Sequence, residues 1–180
     1  MSARTQWIAA GAAGVVLAGS AVFAAARFGS SIPTATPGDP MPDFYAHTMA
    51  EPPVTRHFAD YRGKVVIVNI WATYCVPCRT EMPSLEHVWR EMAPKGLVVV
   101  GVSIDDPGME PQIRAFTKQY GLTFEILQEG TGHIETMLDA FGVPATFVIG
   151  KDGVIRKKVI GAMQWDSPAN IALVERLLAE

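Results

Sequence analysis

The chain has 180 residues, of which 49% are hydrophobic, and its formal net charge is −3. This length and apolar content suit one globular domain with an appendage. Residues 1–28 hold two arginines and no acid, so the remainder carries 13 basic and 18 acidic residues, a net charge of −5. This balance argues against a nucleic-acid partner, because no basic surplus exists to neutralise phosphates.

The first 28 residues differ in composition from the rest of the chain. Trp7 to Ala26 is a run of twenty uncharged residues between Arg4 and Arg27, and about twenty apolar residues span a bilayer core. An uncleaved membrane anchor and a secretory signal removed after residues 24–26 both fit this pattern, and a soluble apolar helix is a third possibility. The first two place the domain outside the cytosol, where a cysteine pair can be oxidised.

The segment GSSIPTATPGDPMP, residues 29–42, follows this run and contains four prolines. Its composition predicts a semi-extended linker without a core of its own. The globular domain is therefore expected to cover residues 43–180.

Short β-branched runs alternate with helical periodicity from residue 43 onward. Residues 43–63 are interpreted as a short N-terminal hairpin. The segments KVVIVNIWA (64–72) and LVVVGVSI (97–104) have too many consecutive Val and Ile for half-exposed strands, so both are predicted to be buried on both faces. Between them, apolar residues at spacings of three and four predict a helix from about Cys75 to Gly96, kinked by Pro83.

The second half of the domain continues this alternation. It predicts a helix over 110–120, a strand over 123–127 and a helix over 133–141. A hairpin with an Asp-Gly turn follows, and then a last helix capped by Ser167 and ending at Leu178. This order predicts an α/β sandwich with a mainly parallel central sheet.

Both cysteines lie in the segment WATYCVPCRTEMP, residues 71–83, directly after the first buried strand. Cys75 falls at the amino end of a helix, where free N–H groups and the helix dipole stabilise a thiolate, so it is the expected nucleophile. Cys78 faces the same side and can attack the mixed disulfide to release the partner's thiol. Pro77, between them, fixes the backbone.

Two other uses of a cysteine pair are less consistent with the sequence. A closed zinc site needs four ligands, and the pair supplies two. The histidines show no ligand-like spacing to each other or to the pair; they are His47, His57, His87 and His133. No metal is therefore predicted. A purely structural disulfide would close a loop of only four residues, which removes little chain entropy.

The segment WATYCVPCRTEMPSL after VVIVNI, with VPATFVI farther on, resembles the thioredoxin superfamily. Within it, the pattern is similar to the membrane-tethered TlpA/ResA-type thiol-disulfide oxidoreductases, over roughly residues 41–180. The resemblance implies a thioredoxin-like α/β fold with a central strand-helix insertion and an N-terminal hairpin extension. Peroxiredoxins are the nearest rival, but their peroxidatic cysteine lies in a Thr-X-X-Cys setting.

The resemblance also suggests site residues. The Val143–Pro144 bond would be cis and lie against the cysteine pair, which leaves the Val143 backbone to pair with an extended substrate. Glu81 would be a catalytic carboxylate that shuttles the proton of Cys78, or a first-turn residue that merely favours the helix dipole. The residues expected to contact substrate are Trp71, Tyr74, Val76, Pro77, Val143 and Pro144. Trp71 could instead only fill the core, and Tyr74 replaces the Trp common at its position.

Two further motifs lie near this predicted site. Gly161-Ala162 is expected to flank it, with glycine required by close backbone approach. Asp105-Asp106, before Pro107, is interpreted as a turn and helix cap.

The predicted function is thiol-disulfide exchange facing the periplasm, from an inner-membrane anchor or as a secreted domain if the segment is cleaved. The partners would be protein thiols and disulfides of exported proteins, such as apocytochrome c, and a membrane electron donor. The Cys75–Cys78 disulfide would be the redox group, with no other cofactor. Reduction is the direction that the resemblance implies. An oxidase or isomerase, and a copper-carrying or redox-sensing module, remain alternatives.

Overall fold

A computed structural model describes residues 35–180. Its strands are β1 (Tyr45–Thr48), β2 (Thr55–His57), β3 (Val65–Trp71), β4 (Leu97–Ser103), β5 (Glu125–Gln128), β6 (Ala145–Ile149) and β7 (Ile155–Ile160). Its helices are α1 (Val76–Met92), α2 (Glu110–Tyr120), α3 (His133–Met137) and α4 (Pro168–Ala179), with short 3-10 turns at Phe58–Tyr61 and Ala93–Lys95.

The described strands form one mixed sheet in the order β2-β1-β5-β4-β3-β6-β7. Strands β3, β4 and β5 are parallel, whereas β6 runs antiparallel to β3 and pairs with β7 in the predicted hairpin. The N-terminal hairpin β1–β2 is confirmed, and β1 extends the sheet by pairing antiparallel with β5. Two strand-helix units, β4–α2 and β5–α3, separate α1 from β6, so the predicted thioredoxin-like fold with its insertion is confirmed.

The central strand β3 explains why its sequence is apolar without alternation. All seven residues are buried. Val65, Ile67 and Trp71 pack in one core cluster with residues of α1, α2 and α4. Val66, Val68 and Ile70 pack in a second cluster on the other face with residues of α3. Because helices cover both faces, neither face of the strand accepts a solvated side chain.

Helix α3 is shorter than predicted, ending at Met137 rather than at Phe141. The chain leaves the helix at Asp139, which has a φ of 47°. Lys158 Nζ donates to the carbonyl oxygens of Leu138 and Asp139 at 3.0 and 2.8 Å, which satisfies two carbonyl groups of the turn that follows the helix. This turn buries the Leu138 and Ala140 side chains, which a continued helix would not place together.

The predicted linker is wrong over residues 35–42, which pack on the domain. Ala35 and Met41 are buried, and the Gly38 and Met41 N–H groups donate to the Ile155 and Gly153 carbonyls at 2.8 and 2.9 Å. The anchor or signal segment, residues 1–28, and the first part of the linker, residues 29–34, lie outside the described residues. Within 35–180, no helix combines the length and apolar content needed to span a bilayer.

Ser167, Gly161 and Pro83 are three positions at which the sequence predicts a local feature. Ser167 occupies the residue before α4, but its side chain makes no capping hydrogen bond. Gly161 has a φ of 97° and open space where a Cβ would be, so backbone conformation rather than close approach calls for glycine. Pro83 lies inside α1, which runs uninterrupted from Val76 to Met92.

Candidate active site

The cysteine pair forms a disulfide at the amino end of α1, with Cα atoms 5.4 Å apart. Cys75 is the residue before the first helical turn, and its Sγ accepts a hydrogen bond from the Cys78 N–H at 3.1 Å. Pro77 lies in the first turn. The backbone therefore directs an N–H group and the positive end of the helix dipole at Cys75, an arrangement that stabilises a thiolate after reduction.

The two sulfur-bearing residues differ in access to solvent. Cys75 is 4% exposed and Cys78 is fully buried. Tyr74 and Val76 on either side of Cys75 are 65% and 67% exposed, and Pro77 is also exposed. The exposed side chains on either side of Cys75 are therefore apolar, and Cys78 is not accessible from solvent.

Val143 and Trp71 belong to the same region of the molecule. Val143 is half-buried and packs against the core cluster that contains both cysteines, and the Val143–Pro144 bond is cis, as the resemblance implies. Within residues 35–180, no backbone hydrogen bond involves Val143. Trp71 is buried in that cluster against Phe116, with ring centroids 4.6 Å apart.

Glu81 lies on the buried face of α1, one helical turn after Cys78, and is 1% exposed. Its Oε1 accepts hydrogen bonds from Trp165 Nε1 at 2.7 Å, from the Met163 N–H at 3.3 Å and from Thr146 Oγ1 at 3.4 Å. Its Oε2 accepts from Asn69 Nδ2 at 3.1 Å. Burial raises the pKa of Glu81 more than these hydrogen bonds lower it, so its pKa lies above the ordinary value. This burial is unlike that of a solvated first-turn glutamate.

The sequence interpretation missed the groups that hold Glu81. Asn69 interrupts the apolar run VVIVNIW, and this amide at a position buried on both faces was a signal that could have been recognised. Thr146 and Trp165 carry no comparable signal, because they reach Glu81 from other parts of the chain.

Asp105 is buried. The predicted turn begins at Asp106, whose carbonyl oxygen accepts from the Met109 N–H at 3.1 Å, but the prediction that Asp105-Asp106 caps a helix is wrong. The Asp105 carboxylate accepts hydrogen bonds from the Thr73 N–H at 2.9 Å, from Thr73 Oγ1 at 2.6 Å and from Ser103 Oγ at 2.7 Å. The residue before α2 is Met109. Because Thr73 lies two residues before Cys75, Asp105 at the end of β4 fixes the loop that carries the nucleophile.

Replacing Asp105 with Asn is expected to lower the free energy of unfolding by about 1–3 kcal/mol, since the amide loses the charge that binds two Thr73 donors. Urea unfolding of the oxidised protein measures this change. The matched control is Asp106→Asn at an exposed position, which should stay within about 0.5 kcal/mol of the unchanged protein. Equal effects of the two substitutions would contradict the loop-fixing role.

A separate groove of about 570 Å³ lies between the N-terminal hairpin and α2, and none of the predicted site residues lines it. In the described part of the chain, no group of three or more His, Cys, Asp and Glu residues is arranged to hold a metal ion.

Comparison with known proteins agrees with this site. A sequence model of the AhpC/TSA family matches residues 37–158. The chain is 34% identical over 131 residues to the thiol-disulfide oxidoreductase ResA of Oceanobacillus iheyensis, covering 72% of this chain and 67% of that protein. It is 30% identical over 134 residues to the thiol:disulfide interchange protein DsbE of Pseudomonas aeruginosa, covering 74% and 72%.

A solved structure shares the architecture. The thiol:disulfide interchange protein of the thioredoxin family from Chlorobium tepidum superposes with a TM-score of 0.62 at 25% identity, covering 81% of this chain and 97% of that one. The family match spans the helix that begins after Cys75, and the match ends at residue 158, within the second strand of the hairpin that follows Pro144. The chain therefore belongs to the AhpC/TSA family of thioredoxin-like proteins and is a thiol-disulfide oxidoreductase.

Proposed function

We propose that this protein reduces disulfides of exported proteins on the periplasmic side of a membrane, with Cys75 as the attacking thiolate and Cys78 as the resolving thiol. The observation that carries the proposal is the asymmetry of the pair. Cys75 Sγ receives a backbone N–H at the start of α1 and borders the exposed surface, whereas Cys78 is fully buried. A partner therefore reacts with Cys75 first.

The reaction begins when the Cys75 thiolate attacks one sulfur of a partner disulfide. A bond forms between Cys75 Sγ and that sulfur, and the other partner sulfur leaves as a thiolate. Cys78 then attacks Cys75 Sγ, which releases the second partner sulfur and forms the Cys75–Cys78 disulfide. The partner gains two electrons and the protein loses two, so a membrane electron donor must restore the dithiol.

Glu81 is proposed to take the proton of Cys78 during the second step. The position of the carboxyl on the same buried face of α1, and its raised pKa, support this role, because a general base works best when its pKa lies near the working pH. Transfer moves one proton from sulfur to a carboxylate oxygen and leaves Cys78 as the attacking thiolate.

The surface around Cys75 supports a polypeptide as the substrate. Tyr74 and Val76 present exposed apolar side chains, and the Val143 backbone has the free polar groups that an extended chain can pair with, as in strand addition. Apocytochrome c, whose cysteines must be reduced before haem attachment, is the substrate that the resemblance to ResA suggests. The uncharged run in residues 7–26 supports delivery to the membrane, by anchor or signal.

A trapping experiment tests this function. With Cys78 replaced by Ser, the mixed disulfide on Cys75 cannot be resolved, so partner proteins should remain attached and separate from the chain on reduction. The control is Cys75→Ser combined with Cys78→Ser, which should capture nothing. Capture of an apocytochrome c would identify the pathway, whereas an empty trap in cells that express the full chain would refute reduction of exported proteins.

A further inference from the structure

Asn69 is a buried amide in the middle of β3 that uses only half of its hydrogen-bonding capacity. In the sheet it stands between Gly101 of β4 and Thr146 of β6. Its Nδ2 donates to Glu81 Oε2 at 3.1 Å and to Thr146 Oγ1 at 2.7 Å. Its Oδ1 is buried and has no partner among the described residues. A buried acceptor without a partner is unfavourable and requires an explanation.

Two of the other neighbours of Glu81 suit only the carboxylate, and the third, the Thr146 hydroxyl 3.4 Å from Oε1, can donate or accept. The Trp165 Nε1–H and Met163 N–H groups can donate but cannot accept, and both bind Oε1. A Glu81 carboxyl protonated on Oε2 has an O–H group that needs an acceptor at that oxygen. Oε2 is in contact with the Asn69 side-chain amide. This amide carries an oxygen that accepts and an NH₂ group that donates, and the two groups are nearly equal in size.

Rotation of the Asn69 amide by half a turn exchanges Oδ1 and Nδ2. The Glu81 Oε2–H group could then donate to Oδ1. The Thr146 hydroxyl, which accepts from Nδ2 in the present orientation, could also donate to Oδ1 because a hydroxyl serves in either direction. The same three side chains therefore form one hydrogen-bonded set around a carboxylate and another around a carboxylic acid, and in the second set the amide atom without a partner is Nδ2 instead of Oδ1.

We propose that Asn69 is a positioning residue for thiol exchange, whose amide inverts when Glu81 gains or loses a proton so that Oε2 keeps a partner in both states. This inference rests on the proposed role of Glu81 as the group that exchanges a proton with Cys78. The S–H bond of Cys78 breaks and an O–H bond of Glu81 forms, with no transfer of electrons.

Other ionisable groups near this set are the cysteines on α1 and Lys157 on β7. Lys157 Nζ lies 5.5 Å from the centroid of the Trp165 ring and donates to Asn170 Oδ1 at 2.7 Å. In the oxidised protein the cysteines do not titrate, so the protonation of Glu81 can be followed without them.

The experiment is an NMR titration of the oxidised protein that follows the Glu81 side-chain carboxyl carbon and the Asn69 side-chain amide. The Asn69 amide protons should move upfield as the pH falls, with the same midpoint as Glu81, because inversion removes their hydrogen bonds to oxygen. In Glu81→Gln the Asn69 signals should be upfield and independent of pH. Amide signals that ignore the Glu81 titration would overturn the proposal.

Two matched substitutions distinguish an Asn69 amide that inverts from one that always donates to Glu81. Trp165→Phe removes a group that binds only the carboxylate and should raise the proton affinity of Glu81 roughly tenfold. Asn69→Leu removes a partner of both forms and should change that affinity less than about threefold. A rise in Asn69→Leu equal to that in Trp165→Phe would contradict inversion.

Failure of the proposed Asn69 inversion can be distinguished from failure of the proposed function. The NMR titration detects the amide whether or not the protein exchanges thiols. A normal exchange rate in Glu81→Gln would refute proton transfer by Glu81, and the titration would then still decide whether Asn69 inverts.

Discussion

Replacing Cys75 with serine is expected to lower the rate of protein-disulfide reduction by roughly 10³-fold or more, to the uncatalysed background. Without the Cys75 thiolate, the mixed disulfide with the partner cannot form. Reduction of insulin in the presence of dithiothreitol measures turnover. The matched control is Cys78→Ser, which should lose turnover as well but still form one mixed disulfide per chain in a single reaction.

The structure gives the reason for this difference between the two cysteines. Cys75 borders the exposed Tyr74 and Val76 side chains and receives the N–H group at the start of α1, whereas Cys78 is fully buried. A serine at position 75 therefore leaves Cys78 beyond the reach of a partner disulfide. Substantial turnover, or a mixed disulfide formed through Cys78, would contradict this assignment of roles.

Replacing Glu81 with Gln is expected to slow release of the partner from the mixed disulfide by about 10²-fold, the lower range for removal of a general base. The same change should alter how stability depends on pH. Because burial raises the pKa of Glu81 in the folded state, the folded protein binds its proton more tightly than the unfolded chain does.

The sign of the stability effect follows from this shift. The contribution of Glu81 is fully present below the pKa of the unfolded chain and is lost as the pH rises through the higher pKa of the folded state. The unfolding free energy of Glu81→Gln minus that of the unchanged protein should therefore grow with rising pH, by about 1.4 kcal/mol for each unit of pKa shift. Urea unfolding of the oxidised proteins across this range measures it, and a difference that shrinks would contradict the raised pKa.

Local patterns in the sequence predict much of the fold. The consecutive Val and Ile residues of β3 and β4 predict strands covered on both sides, and the structure confirms this burial. The spacing of Met82, Leu85 and Val88 predicts the buried face of α1. These features are predictable because each depends on neighbours within one or two turns of the chain.

The partners of buried polar groups are less accessible from sequence. Periodicity indicates that Glu81 faces inward, but Trp165 binds it from a loop that is 84 residues farther along the chain. Asp105 lies two residues before Pro107 in a segment typical of a turn, and its contact with Thr73 across 32 residues has no local signature. Likewise, the turn that ends α3 is held by Lys158 of β7, which binds the Leu138 and Asp139 carbonyls.

The Asp105–Thr73 contact also restricts which residue can occupy position 130, after β5. A Cβ atom on Gly130 would lie 2.5 Å from the Asp105 carbonyl oxygen and 2.9 Å from Pro107 Cδ. Any side chain at this position would displace the backbone of Asp105, and the side-chain carboxylate of Asp105 binds Thr73. Gly130 contacts neither sulfur, yet glycine at this position is needed to keep the loop that carries Cys75 in place.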